Sequence, residues 1–177
     1  TRVAIRMGMT LAGQVEDLGP RRGARLLRSM RRWYPRADAV IAPSHGLGEE
    51  LCRDAGVSPA RLHVIENPIV TPQFDELACA PLSDDWFAAD APPVILGAGS
   101  LEPRKDFATL VRAFVQVRAT IPCRLVILGE GRERERLVAL AAEFGVADDV
   151  RLPGHESHPY RFMSRASVFV LCSRREG

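Results

Sequence analysis

The sequence predicts an α/β protein built on Rossmann-like parallel sheets with helices on both faces, and three observations carry that prediction. From residue 94 onward, apolar runs of strand length alternate with segments whose apolar residues recur at helical spacing. That β-α-β-α-β-α-β order implies a parallel sheet with right-handed crossovers. A shorter alternation of the same kind fills the first 68 residues. The strands after residue 94 end in glycine- or serine-bearing turns, where ligands of open parallel sheets bind.

In chain order, residues 2–7 (RVAIRM) read as a strand, and 21–34 as a helix with Leu26, Leu27, Met30, Trp33 and Tyr34 on one face. A short buried strand at 39–42 precedes Pro43-Ser44, and Ser44 is placed to cap a helix over 45–55 that Gly56 ends. Residues 62–66 form another strand, closed by Asn67-Pro68. Between about 70 and 93 the pattern breaks on Pro72, Pro81, Pro92, Pro93, Asp84, Asp85 and Asp90, the signature of a connection between domains. Strand 94–98 then leads to a helix from about 106 with Phe107, Leu110, Val111 and Phe114 on one face. Strand 124–128 leads to a helix carrying Leu137, Leu140, Ala141 and Phe144. Strand 149–152, a short helix near 160–165 and strand 167–171 complete the series. The expected organisation is therefore 1–69, a linker at 70–93, and 94–177. The chain starts in a strand without Met and stops just after one, so both domains are expected to be incomplete.

Composition narrows the class. The 177 residues are 46% hydrophobic, which excludes a disordered or collagen-like chain. Uncharged apolar runs reach only about ten residues, half of what crosses a bilayer, and no amino-terminal signal peptide is evident. Cys52, Cys79, Cys123 and Cys172 are widely spaced in apolar surroundings, as expected of reduced, buried thiols in a cytoplasmic protein. Of 24 basic side chains, 23 are Arg and one is Lys, at position 105. The bias suggests GC-rich codon usage, yet the lone lysine lies just before a predicted helix start.

The four strand ends read Gly97-Ala98-Gly99-Ser100, Gly129-Glu130-Gly131, Pro153-Gly154-His155 and Ser173-Arg174-Arg175-Glu176. Glycines let backbone amides approach a ligand, and helix amino termini favour phosphate. Lys105 is placed for a diphosphate. The dinucleotide fingerprint fails, because Glu102 and Arg134 stand where the third glycine belongs, and a P-loop fails for want of a GK[ST] tripeptide. A nucleotide or phosphosugar crevice of neither type remains. His155 and His158 lack a third ligand, so no metal is expected, and no cofactor.

The runs GSLEPRKDFATLVRAF (99–114), RLVILGEGRERERL, VRLPG and VFVLCSRREG occur in an order and spacing that resemble the donor-binding domain of family 4 (group 1) glycosyltransferases of GT-B fold. ADAVIAPSHGLGEEL and RLHVIENP resemble the end of the acceptor domain. The resemblance implies a retaining, hexosyltransferase-like enzyme of cell-envelope polysaccharide synthesis, moving sugar from a nucleotide-diphosphate sugar (UDP- or GDP-linked) to a lipid-linked or glycan acceptor. By the same resemblance Lys105 neutralises the donor diphosphate, and Glu176 faces the donor sugar. His155 lies by the nucleobase, while Gly99, Gly129 and Gly131 line the loops under the donor. The family usually has Arg where this chain has Ser100, so either weaker donor binding or help from neighbouring Arg104 is expected. The family's second glutamate falls beyond residue 177, so the chain by itself is expected to be inactive.

Residues 21–36 hold seven Arg and no acid, leaving 2 − 7 = −5 for the remainder. Arg21, Arg22, Arg25, Arg28 and Arg32 lie opposite the apolar face, either as a solvated surface or as an attachment to anionic lipid at the inner face of a membrane. Nucleic acid is not the expected partner, because aromatic content is 6% and the rest of the chain is acidic. A GT-B epimerase would share the fold but release free nucleotide, and its His-rich, acidic site pattern is absent.

Overall fold

A computed structural model describes residues 1–68 and 70–174. The chain divides into two compact units between residues 69 and 70. In the first, β1 (Ala4–Arg6), β2 (Ala39–Ala42) and β3 (Leu62–Val64) form a parallel sheet in the order β1-β2-β3. The central strand presents Val40 and Ala42 to a core shared with Leu47 and Leu51 of α2 (His45–Ala55) and Met30 of α1 (Leu11–Trp33). Ser44 caps α2 by accepting from the Leu47 amide, and Gly56 ends it at φ 72°.

Helix α1 extends further back than the periodicity of 21–34 predicts. Gly19 (φ 74°) and Pro20 kink it, and an additional segment from Leu11 precedes the kink. Its amino terminus is fully furnished. Thr10 Oγ1 accepts from Gly13 N at 3.2 Å, and the carboxylate of Glu50, 9% exposed on α2, accepts from Leu11 N and Ala12 N at 2.9 Å each. An acid against orphan N–H groups at the positive end of a helix is favoured by both the hydrogen bonds and the dipole. Glu50→Ala is expected to destabilise this unit by about 2 kcal/mol, seen as a lower urea midpoint, with Glu50→Gln losing less because it keeps an acceptor.

In the second unit, β4 (Val94–Ala98), β5 (Arg124–Leu128), β6 (Val150–Gly154) and β7 (Val168–Phe169) form a parallel sheet in the order β6-β5-β4-β7. Alternation along β5 explains why helices cover both faces. Leu125 and Ile127 pack with α4 (Phe107–Arg118) and α5 (Arg134–Glu143), while Val126 and Leu128 face Trp86 and Phe162 of α6 (Tyr160–Met163). Each fully buried side chain of this size stabilises by about 1.5–3 kcal/mol.

Residues 70–93, read from the sequence as a connection, are structured and belong to this second unit. They include α3 (Phe74–Cys79), whose Phe74 meets Tyr160 edge-on at 4.9 Å, and a 3₁₀ turn capped by Asp84. Trp86, 5% exposed, lies beneath the guanidinium groups of Arg151 (3.9 Å) and Arg124 (4.8 Å), and Asp84 pairs with Arg151 at 3.3 Å. The prolines interrupt periodicity, but the aromatic side chains between them have a core to enter. The four cysteines are free thiols; Cys123 is buried, Cys52 and Cys172 are half-buried, and Cys79, expected inside, is exposed at the end of α3. Among the described residues no helix is long and apolar enough to cross a membrane.

Candidate functional site

In the second sheet, chain order runs outward from β4 through β5 to β6 and then returns to β7 on the other side of β4. The order therefore reverses at the carboxyl ends of β4 and β7, the position at which open α/β sheets form a ligand crevice. The loop after β4 carries Gly99, Ser100 and Lys105. It is bound on one side to the loop after β5, which is itself bonded to the end of β6, and on the other to the segment after β7.

On the β5 side the strand ladder continues into the loops. Gly99 N donates to Leu128 O at 2.9 Å, Leu101 N to Glu130 O at 2.8 Å, Glu133 N to Leu101 O at 3.0 Å, and Gly129 N to Gly154 O at 2.7 Å. Such proximity requires glycine at two positions. At Gly129 (φ 136°) a Cβ would overlap the carbonyl oxygen of Gly99, and at Gly131 (φ 157°) it would stand 2.5 Å from Leu101 O. The sequence suggests that glycine amides here face a ligand. Those of Gly99 and Gly129 are instead engaged by neighbouring carbonyls, so these glycines bring loop against loop.

Two cationic side chains stand on the loop after β4. The Lys105 stem crosses Gly99, its Cε 3.3 Å from where a Cβ would sit. Lys105 closes a 3₁₀ turn (Pro103–Lys105) before α4. Arg104 Nη2 reaches the Ser100 hydroxyl at 3.4 Å, so a guanidinium stands beside that serine. His155 is exposed just past Gly154. Its loop is tied by Glu156, which accepts from His158 N at 2.8 Å and pairs with Arg161 at 3.0 Å. Burial would raise the Glu156 carboxyl, but these partners outweigh it and hold it below its ordinary value. The structure thus brings Gly99, Ser100, Lys105, Gly129 and Gly131 together, with His155 one loop further along the same rim. Glu176 lies outside the described residues.

The β7 side was not legible from the sequence. Cys172 Sγ donates to Lys105 O at 3.1 Å, Arg174 N to Arg104 O at 2.9 Å, and Arg174 Nε to Asp106 Oδ2 at 2.9 Å. The Arg174 hydrogen bond holds the Asp106 carboxyl below the usual carboxylate range against the opposing effect of partial burial. A lowered folded value means that the pair contributes stability above the ordinary value of about 3.9 and loses it as pH falls through the lowered one. Carboxyl ¹³C NMR is expected to show Asp106 protonating late, and at higher pH after Arg174→Ala. A cleft of about 220 Å³ opens nearby between Glu102, Arg112, Glu133 and Arg136. It contains none of the predicted residues, and Arg136 and Glu133 pair there at 2.6 Å. Among the described residues no three His, Cys, Asp or Glu side chains stand together to hold a metal ion.

Residues 82–177, more than half the chain, match the family model described as Glycosyl transferases group 1. The chain belongs to this family. Residues 11–72 match a second model, Glycosyltransferase Family 4. Among curated relatives, the chain is 31% identical over 145 residues (81% of this chain, 37% of the relative) to the N-acetylgalactosamine-N,N'-diacetylbacillosaminyl-diphospho-undecaprenol 4-alpha-N-acetylgalactosaminyltransferase of Campylobacter jejuni. It is 40% identical over 83 residues (47% and 23%) to the lipopolysaccharide core biosynthesis glycosyltransferase LpsD of Rhizobium meliloti. HepE of Anabaena, solved in complex with UDP-glucose, superposes with a TM-score of 0.72 at 17% identity, over 97% of this chain and 47% of that one. That likeness is one of fold, and the fold is GT-B. The group 1 chain spans well under two thirds of the curated relatives it matches, 37% and 23% of their lengths.

Proposed function

We propose that the full-length protein is a retaining glycosyltransferase that moves a sugar from a nucleotide-diphosphate sugar, UDP- or GDP-linked, to a lipid-linked or glycan acceptor of the cell envelope. The observation that carries this reading is the arrangement of Lys105 and Arg104 on a glycine-packed loop at the sheet's switch point. Leaving of the nucleoside diphosphate builds negative charge on the β-phosphate oxygens. A preorganised ammonium at that point lowers the barrier more than it strengthens ground-state binding. Arg104 beside Ser100 supplies a second cation for the same diphosphate. Glu176 is assigned to the donor-sugar face and His155 to the nucleobase edge, with Gly99, Gly129 and Gly131 shaping the loops beneath. The relatives' names, one citing a diphospho-undecaprenol substrate and one lipopolysaccharide core, support an acceptor carried on lipid. The test is incubation of the full-length protein with UDP- and GDP-sugars and a polyprenyl-diphosphate-linked glycan, with the new linkage read by NMR. The donor's own anomeric configuration is expected in the product. Inversion would remove retention, and free nucleotide without glycosylated acceptor would favour an epimerase.

A second reading concerns the membrane. Arg21, Arg22, Arg25, Arg28 and Arg32 are exposed along α1, and Trp33, 55% exposed, is flanked by the guanidinium groups of Arg32 (5.1 Å) and Arg36 (5.7 Å). An exposed Trp among arginines suits the headgroup region, where each basic side chain contributes about 1 kcal/mol against anionic lipid. Work at the cytoplasmic face as a peripheral protein would follow. Co-sedimentation with phosphatidylglycerol vesicles is expected to fall about tenfold or more in Arg25→Glu/Arg28→Glu; equal binding to neutral vesicles would contradict it.

A further inference from the structure

Three consecutive residues of the β4–α4 loop are each held from the segment after β7. Arg174 N binds the carbonyl of Arg104, Cys172 Sγ the carbonyl of Lys105, and Arg174 Nε the carboxylate of Asp106, at 2.9, 3.1 and 2.9 Å. Asp106 is, among the described residues, the one non-glycine position with positive φ, 52°. It also opens α4, so its left-handed turn sets the direction in which Lys105 leaves the helix start. A side chain in that region is strained and persists only where its surroundings hold it. The surroundings here are specific: the Asp106 side chain is 16% exposed and its partner Arg174 comes from 68 residues away.

We propose that Arg174 is a positioning residue for the donor site, clamping Asp106 in its left-handed conformation so that Lys105 is held toward the switch-point crevice. The inference rests on the reading of Lys105 as the diphosphate contact. It adds that the segment after β7 sets the geometry of that contact through the loop it grips. Arg174 uses its backbone amide and Nε for this task. Lysine could meet the Asp106 carboxylate with one ammonium, whereas alanine could not meet it at all.

Calorimetric titration of UDP, GDP and ADP into the full-length protein identifies the nucleotide it binds, and the same titration is run on variants. Arg174→Ala is expected to weaken binding about three- to fivefold, as for one partly exposed ion pair, and Arg174→Lys to recover most of the loss. In an Asp106→Gly background, where glycine takes positive φ without help, Arg174→Ala should change binding less than about twofold. Equal losses in both backgrounds would mean that Arg174 touches the nucleotide directly, and no loss in either would mean that it positions nothing; both overturn the proposal. Hydrogen exchange in the nucleotide-free protein separates the clamp from the donor reading. Arg174→Ala is expected to speed exchange severalfold at the amides of Lys105 and Asp106, which donate to Glu102 O and Pro103 O, and unchanged exchange there overturns the clamp. Failure of all three nucleotides to bind the wild type, with exchange still accelerated in the variant, would refute the donor reading and the positioning role that depends on it.

Discussion

Gly129→Ala is expected to destabilise the second unit by about 3 kcal/mol or more and to abolish nucleotide binding with it. The new methyl group would occupy the space of the Gly99 carbonyl oxygen, and no side-chain rotation relieves a clash between a Cβ and backbone. Relief requires the loops after β4 and β5 to part, which breaks the bonds from Gly99 N to Leu128 O and from Leu101 N to Glu130 O. Gly145→Ala is the internal comparison. Gly145 also has positive φ, 69°, but nothing lies within 4 Å of its would-be Cβ. It should therefore cost only the backbone strain, about 1 kcal/mol. Urea denaturation of both variants reads the difference as two midpoints at similar slope. Equal midpoints would mean that loop-against-loop packing at the rim contributes little.

Lys105→Ala is the second substitution with a large expected effect. A charge-assisted hydrogen bond to a phosphate oxygen contributes about 1.5–3 kcal/mol, so affinity for the nucleoside diphosphate should fall at least tenfold. Removing a group that stabilises leaving-group charge costs about 10²–10³ in rate, so kcat should fall further than binding does. Lys105→Arg should land between alanine and wild type. The Lys105 stem runs over Gly99, with Cδ and Cε 3.5 and 3.3 Å from the would-be Cβ, and a planar guanidinium on a stiffer fork does not follow that path to the same point. Steady-state kinetics with the full-length protein separates the two effects. A loss confined to KM would reassign Lys105 to ground-state binding alone.

The elements that lie inside one apolar period were legible in the sequence, and those fixed by distant partners were not. Strands 39–42, 94–98 and 124–128 and helix 45–55 match the observed bounds, because uninterrupted apolar runs and the Ser44 cap are local signals. The segment of α1 before Gly19 and the helix 74–79 were hidden by Pro20, Pro72 and Pro81. In the fold, Pro20 begins the main segment after the kink, where its missing N–H costs nothing. Strand 167–171 shrinks to Val168–Phe169, at the edge of the sheet.

The site divides in the same way. Gly99, Gly129, Gly131 and Lys105 could be singled out because each residue type is chemically unusual at its position. The Arg174–Asp106 pair could not, since one partner is a common surface residue and the other lies 68 positions away. The one available signal was an aspartate between a lysine and a helix start, where a left-handed turn favours Asp, Asn or Gly.

On the reading proposed above, the second unit binds a nucleotide-diphosphate sugar through the Lys105 loop. Calorimetric titration of UDP-, GDP- and ADP-sugars into the full-length protein and its Lys105→Ala variant tests it most directly. One sugar nucleotide is expected to bind the wild type, and the variant to bind it at least about tenfold more weakly. Binding that survives Lys105→Ala unchanged, or no binding by any of the three, would contradict it.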